Sequence, residues 1–287
     1  MLKADMIEGI KNRRDIMGQK KFLVCIDSDG CAIDTMDAKH KLCFAPLMVE
    51  KWHMEAHRAE SEEIWNHISL YSMDRGINRF KGLEMTLKEC VKRGFLQEDL
   101  TDFSSWLRET DVFSNGSLEK RAGREKSPIL EKVLDWSITS NQAIAALPLS
   151  QAFDGVKETL AFMSGQAELA VVSSANREAV EAEWNRHGLL PFVKEVMAQD
   201  SGSKAACIAR LMKEGGFDGD HVLMIGDAPG DQKAAERNGA LFFPSIIRRE
   251  TKSWKRLREE GFDRFVAGTY RGAYADGLAE EFLEALR

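Results

Sequence analysis

Phe22 to Ile26 form an unbroken apolar run that stops at Asp27-Ser28-Asp29-Gly30. About five apolar residues without alternation is the pattern of a strand buried on both faces, as in a parallel sheet covered by helices on either side. Similar runs recur at Glu168 to Val172, Val193 to Ala198, Val222 to Ile225 and Leu241 to Phe243. Between them, Ala179 to His187 and Lys204 to Lys213 carry helical spacing and stop at Gly188 and Gly215-Gly216. Strands alternating with helices at this interval predict an α/β fold with a doubly wound parallel sheet.

From Ile33 to Leu149 the texture changes to long helical patterns rich in Trp, Met, Glu and Lys, broken at Gly76, Gly94 and Ser114-Asn115-Gly116. An all-helical unit is therefore expected to leave the sheet after the first strand and return through Leu147-Pro148 and Phe153-Asp154-Gly155, where Pro and Gly suit a hinge. Placed there, it would close as a lid over the strand end. The expected division is an amphipathic helical extension over residues 1–20, a core built from 21–33 and 151–287, and the helical insert over 34–150.

The 287 residues carry a net charge of −6 with both signs well mixed, which favours neither nucleic acid nor an acidic membrane as a partner. No stretch is long and apolar enough to span a bilayer, and charges interrupt residues 1–21, so no signal peptide is expected there. Cys25, Cys31, Cys43, Cys90 and Cys207 are scattered and odd in number, which points to free thiols in a reducing, cytoplasmic setting.

Two acids at a buried strand end repel each other and lose water, so Asp27 and Asp29 call for compensating charge. In open α/β sheets ligands bind beyond the carboxyl ends of the strands. Five further candidates fall at strand or helix ends: Ser173 and its neighbour Ser174, Lys204 at a helix start, and the pair Asp227 and Asp231 in Gly226-Asp227-Ala228-Pro229-Gly230-Asp231. The residue types suit phosphoryl transfer. Asp27 could attack phosphorus as a nucleophile, and Asp29 could protonate the leaving oxygen and later take a proton from water.

Taken in order, Asp-x-Asp, a strand-end Ser, a Lys and Gly-Asp-x-x-x-Asp resemble the four motifs of the haloacid dehalogenase-like (HAD) hydrolase superfamily, over nearly all of residues 22–245. The resemblance implies a Rossmann-like catalytic core with a helical cap. It also implies Mg²⁺ held by the Asp27 carboxylate, the Asp29 carbonyl and Asp227, with Asp231 behind them or on a metal-bound water. Lys204 would neutralise the nucleophile and phosphoryl oxygens, and Ser173 would hydrogen-bond one of those oxygens. Ser174 competes with Ser173 for that contact, because both follow the strand.

The implied activity is a Mg²⁺-dependent phosphatase working through an aspartyl-phosphate on a small phosphorylated metabolite, because relatives that cleave carbon–halogen bonds or phosphonates lack the second aspartate. A phosphomutase of the β-phosphoglucomutase kind is the alternative, and a non-catalytic binding protein on the same fold is a third. Those mutases carry a cap-side His where this chain has Lys39, followed by His40. Gly76-Ile77-Asn78-Arg79 is similar to a cap stretch whose Arg reaches a substrate phosphate, which makes Arg79 a candidate substrate ligand. Cys31 and Ala205 depart from the common pattern next to the first and third motifs.

Other features read as structural. His53 and His57, four apart on an expected helix from Glu50 to Glu63, lack a third metal ligand. The basic residues from Arg248 to Arg258 are interrupted by acids and suit an exposed helix. Trp52, Trp65, Trp106 and Trp136 are expected to pack the insert. Nothing in the sequence sets the oligomeric state.

Overall fold

The computed structural model describes residues 20–287, so the helix expected at the N-terminus lies outside the described residues. Among the described residues, five strands form one sheet: β1 (Phe22–Ile26), β2 (Ala167–Val172), β3 (Glu195–Met197), β4 (Val222–Gly226) and β5 (Leu241–Pro244). Their order is β3-β2-β1-β4-β5, and every neighbouring pair is parallel. The first strand is therefore central, flanked by β2 on one side and β4 on the other.

Strand periodicity explains why the apolar runs do not alternate. Val24 and Ile26 enter one apolar cluster with Leu169, Val171, Leu223 and Ile225, while Leu23 and Cys25 enter another with Ala170, Val172, Val222 and Met224. Both faces are covered, so both sets are apolar. Each Val, Leu, Ile or Met side chain among them, fully withdrawn from water, contributes on the order of 1.5–3 kcal/mol.

Fourteen α-helices, numbered in chain order among the described residues, complete the fold. Seven lie in the insert that follows β1: α1 (Met36–Lys39), α2 (Ala45–Lys51), α3 (Arg58–Leu70), α4 (Arg79–Lys92), α5 (Thr101–Glu109), α6 (Asn115–Glu125) and α7 (Pro128–Ala145). The others pack around the sheet: α8 (Val156–Ser164), α9 (Arg177–Arg186), α10 (Lys204–Gly215), α11 (Pro229–Arg237), α12 (Glu250–Arg256), α13 (Phe262–Val266) and α14 (Ala273–Ala285). No helix among the described residues is long and apolar enough to cross a membrane.

The helical insert has an apolar cluster of its own, built around Phe44, Trp52, Trp65, Phe80, Phe103, Trp106 and Trp136. All four tryptophans expected there are buried. The outgoing and returning chains run side by side: Ile33 bridges Ala152 in antiparallel fashion, Asp34 N donates to Gln151 O at 2.9 Å and Phe153 N to Ala32 O at 3.1 Å.

The helix expected over Glu50 to Glu63 is interrupted. α2 ends at Lys51, His53 adopts a left-handed φ of 55°, and α3 starts only at Arg58. The turn lets Trp52 and Met54 both enter the apolar cluster. His53 is exposed, while the His57 ring stacks on Phe95 at 4.2 Å. The basic residues from Arg248 to Arg258 are exposed apart from half-buried Arg256, while Trp254 on the same segment is buried and donates to Cys31 O at 2.8 Å.

His40 sits inside the insert, where Trp65 Nε1 donates to its Nδ1 at 3.1 Å. Burial, reinforced by the nearby Arg75 charge, lowers its pKa to about 3. Between pH 6.5 and 3 the unfolded chain thus binds a proton that the folded chain refuses, so stability falls as the pH drops through this window. The contribution is about 1.4 kcal/mol per pH unit. Urea unfolding of wild type and His40→Asn at several pH values should give a steeper acid loss in wild type; equal slopes would mean that the imidazole titrates normally in the folded protein.

Candidate active site

Pairing of β1 with β4 in parallel, Ile26 opposite Ile225, brings the residues that follow both strands to one rim. Asp27 leaves β1 there and its amide donates to Ile225 O at 2.9 Å. Asp227 follows β4. Asp231 sits in the first turn of α11 and turns back, accepting from Ala228 N at 3.1 Å. The carboxylate oxygens of Asp27, Asp227 and Asp231 lie within 4.8 Å of one another, and all three residues are buried.

Close packing enforces this convergence. A Cβ added to Gly226 would lie 2.4 Å from both Cβ and Cγ of Asp231. Gly30, with φ +74°, lies just as close to Asp227: an added Cβ would meet its Oδ2 at 2.6 Å.

Lys204, the first residue of α10 behind its Ser203 cap, reaches between two of the acids, 2.8 Å from Asp27 Oδ2 and 2.5 Å from Asp231 Oδ1. Burial works against its charge, yet the two carboxylates outweigh it and push its pKa up. Asp27 also accepts from Ser28 N at 2.8 Å. Its pKa nevertheless lies well above the usual carboxylate range, chiefly because it is buried, with Asp231 and Asp227 adding to the rise against the opposing pull of Lys204.

Asp29 is in the opposite situation. Lys39 Nζ lies 2.9 and 2.8 Å from its two oxygens and Thr35 Oγ1 donates at 2.8 Å. Burial alone would raise its pKa, but the Lys39 charge and these hydrogen bonds prevail and lower it. Lys39 thus contacts the second aspartate directly.

Ser173 directly follows β2 and is buried, its Oγ accepting from Ala175 N at 3.1 Å, while Ser174 is exposed. Arg79 turns into the insert, donating to Asn141 Oδ1 at 2.5 Å with its guanidinium 5.7 Å from the Phe44 ring. The arginine that reaches the carboxylates is Arg75. Its Nη2 and Nε lie 2.6 and 2.7 Å from Asp227 Oδ2, Nε also donates to Asp227 O at 3.1 Å, and Nη1 donates to Leu70 O at 2.9 Å.

Arg75 projects from the turn between α3 and α4, where Gly76 has φ +72° and an added Cβ would meet Ala228 Cβ at 2.8 Å. In the sequence only the glycine beside it, inside a helix break, marks this residue. Its partner is 152 positions away.

Three carboxylates face two cations, Lys204 and Arg75, in a buried space. An all-oxygen donor set with surplus negative charge fits a hard divalent cation of the Mg²⁺ kind. Two open grooves of about 690 and 630 Å³ lie on the helical insert, between α3 and α4 and near the start of α6, and neither is lined by the carboxylates.

A family model described as haloacid dehalogenase-like hydrolase matches residues 119–243, which include Ser173, Lys204, Asp227 and Asp231. No curated protein matches the chain. Among solved structures, a haloacid dehalogenase-like family protein of Streptococcus pneumoniae is 10% identical over 82% of this chain and 90% of its own, with a TM-score of 0.43. A Haemophilus somnus protein described as a predicted phosphoglycolate phosphatase is 16% identical over 82% of this chain and 92% of its own, with a TM-score of 0.47. A haloacid dehalogenase-like family hydrolase of Xanthomonas campestris is 12% identical over 79% and 83%, with a TM-score of 0.44.

Gly226→Ala tests how tightly the acids are held. The added methyl group overlaps Asp231 and should cost about 1–3 kcal/mol in urea unfolding, as over-packing typically does. An unchanged midpoint would show that Asp231 has room to move.

Proposed function

We propose that this chain is a phosphatase of the haloacid dehalogenase-like hydrolase superfamily that cleaves a small phosphorylated metabolite through an aspartyl-phosphate on Asp27 with the help of Mg²⁺, a reading that the family-model match over residues 119–243 supports. The observation that carries the reading is the contact of the Asp27 carboxylate with Lys204 at the end of the central strand, inside a triad of acids.

Asp27 is the nucleophile: one of its oxygens bonds to phosphorus as the bond to the leaving oxygen breaks. Lys204 keeps that carboxylate oriented and offsets charge on the transferring group. Asp29, two residues further on, gives a proton to the departing oxygen and then takes one from the water that attacks the acyl phosphate, releasing phosphate and restoring Asp27. For this it must first exchange Lys39, which holds it ionised, for the substrate and take up a proton from solvent. Ser173 supplies a hydrogen bond to a phosphoryl oxygen from the end of β2.

Asp27, Asp227 and Asp231 are the side chains that would hold Mg²⁺, together with the Asp29 carbonyl. When bound, the ion neutralises charge on the phosphoryl oxygens, the main requirement of this kind of transfer. The helical insert over 34–150 serves as the cap. It covers the rim through Lys39 and Arg75, and burial of the acids beneath it keeps bulk water from the reacting group. A cytoplasmic setting suits the five buried, unpaired cysteines.

A phosphate-release assay over a panel of phosphorylated metabolites, with and without Mg²⁺, tests the proposal. Wild type should release phosphate from at least one compound only when Mg²⁺ is present. Asp27→Asn should lose activity to background, and Asp29→Asn should lose about 10²–10⁴-fold. Isomerised product in place of free phosphate would move the assignment to a phosphomutase. Undiminished activity in Asp27→Asn would remove the nucleophile.

A further inference from the structure

Arg75 is a cap residue with a fully enclosed guanidinium, its side chain 2% exposed and paired with an Asp227 side chain that is equally enclosed. Two of its nitrogens converge on a single oxygen, Asp227 Oδ2, and one of them also reaches the Asp227 carbonyl. It lies directly over the first motif, because an added Gly30 Cβ would meet Arg75 Nη2 at 2.9 Å and Asp227 Oδ2 at 2.6 Å. A cap cation thus satisfies the carboxylate that the proposed reaction assigns to Mg²⁺.

We infer that Arg75 and a divalent cation compete for Asp227, so that the cation enters only as the cap arginine lets go. The inference rests on the reading of Asp27, Asp227 and Asp231 as the cation site.

Charge counting supports exchange over coexistence. With Lys204 and Arg75 in place, the three carboxylates retain one uncompensated negative charge. A divalent ion added to that set would leave an excess positive charge in a buried space, with the guanidinium beside it on the same carboxylate. With Arg75 withdrawn, the ion and Lys204 balance the three acids. A guanidinium cannot shed its proton to relieve the conflict. Left buried without an anion it would be costly, so it needs another partner.

An incoming phosphoryl group provides that partner, since it brings negative charge back to the rim where Arg75 projects. Arg75 is therefore a positioning residue. It holds Asp227 and closes the cap before the cation binds, and it becomes free to meet an oxyanion once the cation has taken its place.

The turn gives an independent handle. Gly76 combines φ +72° with an added-Cβ distance of 2.8 Å to Ala228 Cβ. Gly76→Ala should therefore push the turn away from the loop after β4 and loosen Arg75 while leaving the arginine in the chain.

Isothermal titration of full-length protein with Mg²⁺ alone, without any phosphate compound, reads the competition directly. Arg75→Ala and Gly76→Ala, each first checked for a cooperative thermal melt, should bind Mg²⁺ about tenfold or more tightly than wild type, within the usual range of coupling between sites. A tenfold gain in either folded variant supports the exchange. Affinities no higher than wild type in the folded variants overturn it while leaving the phosphatase reading intact. If neither wild type nor any variant binds Mg²⁺, the cation site itself is wrong and both readings fall.

Discussion

Everything at the rim of the sheet answers to the mutual repulsion of Asp27, Asp227 and Asp231. Parallel pairing of β1 and β4 leaves no freedom to separate the first two, because their strands end side by side. Asp231 is drawn in by the first turn of α11, where its carboxylate satisfies the Ala228 amide. Buried carboxylates this close need cations, and the chain supplies one from each side: Lys204 from the helix after β3 and Arg75 from the insert. The small residues follow from the same constraint. Gly226 and Gly30 are the backbone positions that the acids crowd, and a methyl group at either would occupy the space of a carboxylate.

This division between core and insert also explains what could be read from the sequence. The strands were legible because each is a short apolar run ended by a polar residue, and a parallel sheet places such ends on a common edge. Asp27, Lys204, Asp227 and Asp231 therefore came together from element order alone. Arg75 and Lys39 did not, since their partners are set by how the helical insert lies on the core, a property with no periodicity. Arg79 had the more suggestive local motif, yet as the first residue of α4 it points along its own bundle to Asn141. The uninterrupted helix through His53 failed for a related reason: burying both Trp52 and Met54 in the insert outweighed local helical spacing.

The contacts between insert and core differ in kind from those within either. Each part has an apolar cluster of its own, whereas the contacts at the rim include Lys39 and Thr35 on Asp29, Arg75 on Asp227 and the Arg248 guanidinium 4.3 Å from the Tyr71 ring. A buried ion pair adds little net stability once desolvation is counted, but it is demanding about partner and geometry. Here it fixes where the insert sits, and its modest net energy leaves closure open to displacement by a competing charge.

That distinction bears on how a closed site can work. An apolar interface of the same extent would keep the cap closed whatever occupied the site, because neither a divalent ion nor a phosphate ester alters the hydration of hydrocarbon nearby. Ion pairs respond to both. On the proposed reading, a cation would weaken the hold of Arg75 on Asp227 through like charge, and a phosphoryl group would offer Arg75 and Lys39 another anion. A ligand moves a conformational equilibrium only by its differential affinity for the two states. On the proposed reading, cap contacts made to the carboxylates assigned to the chemistry give the reactants that differential affinity directly, so closure and charge balance become one equilibrium.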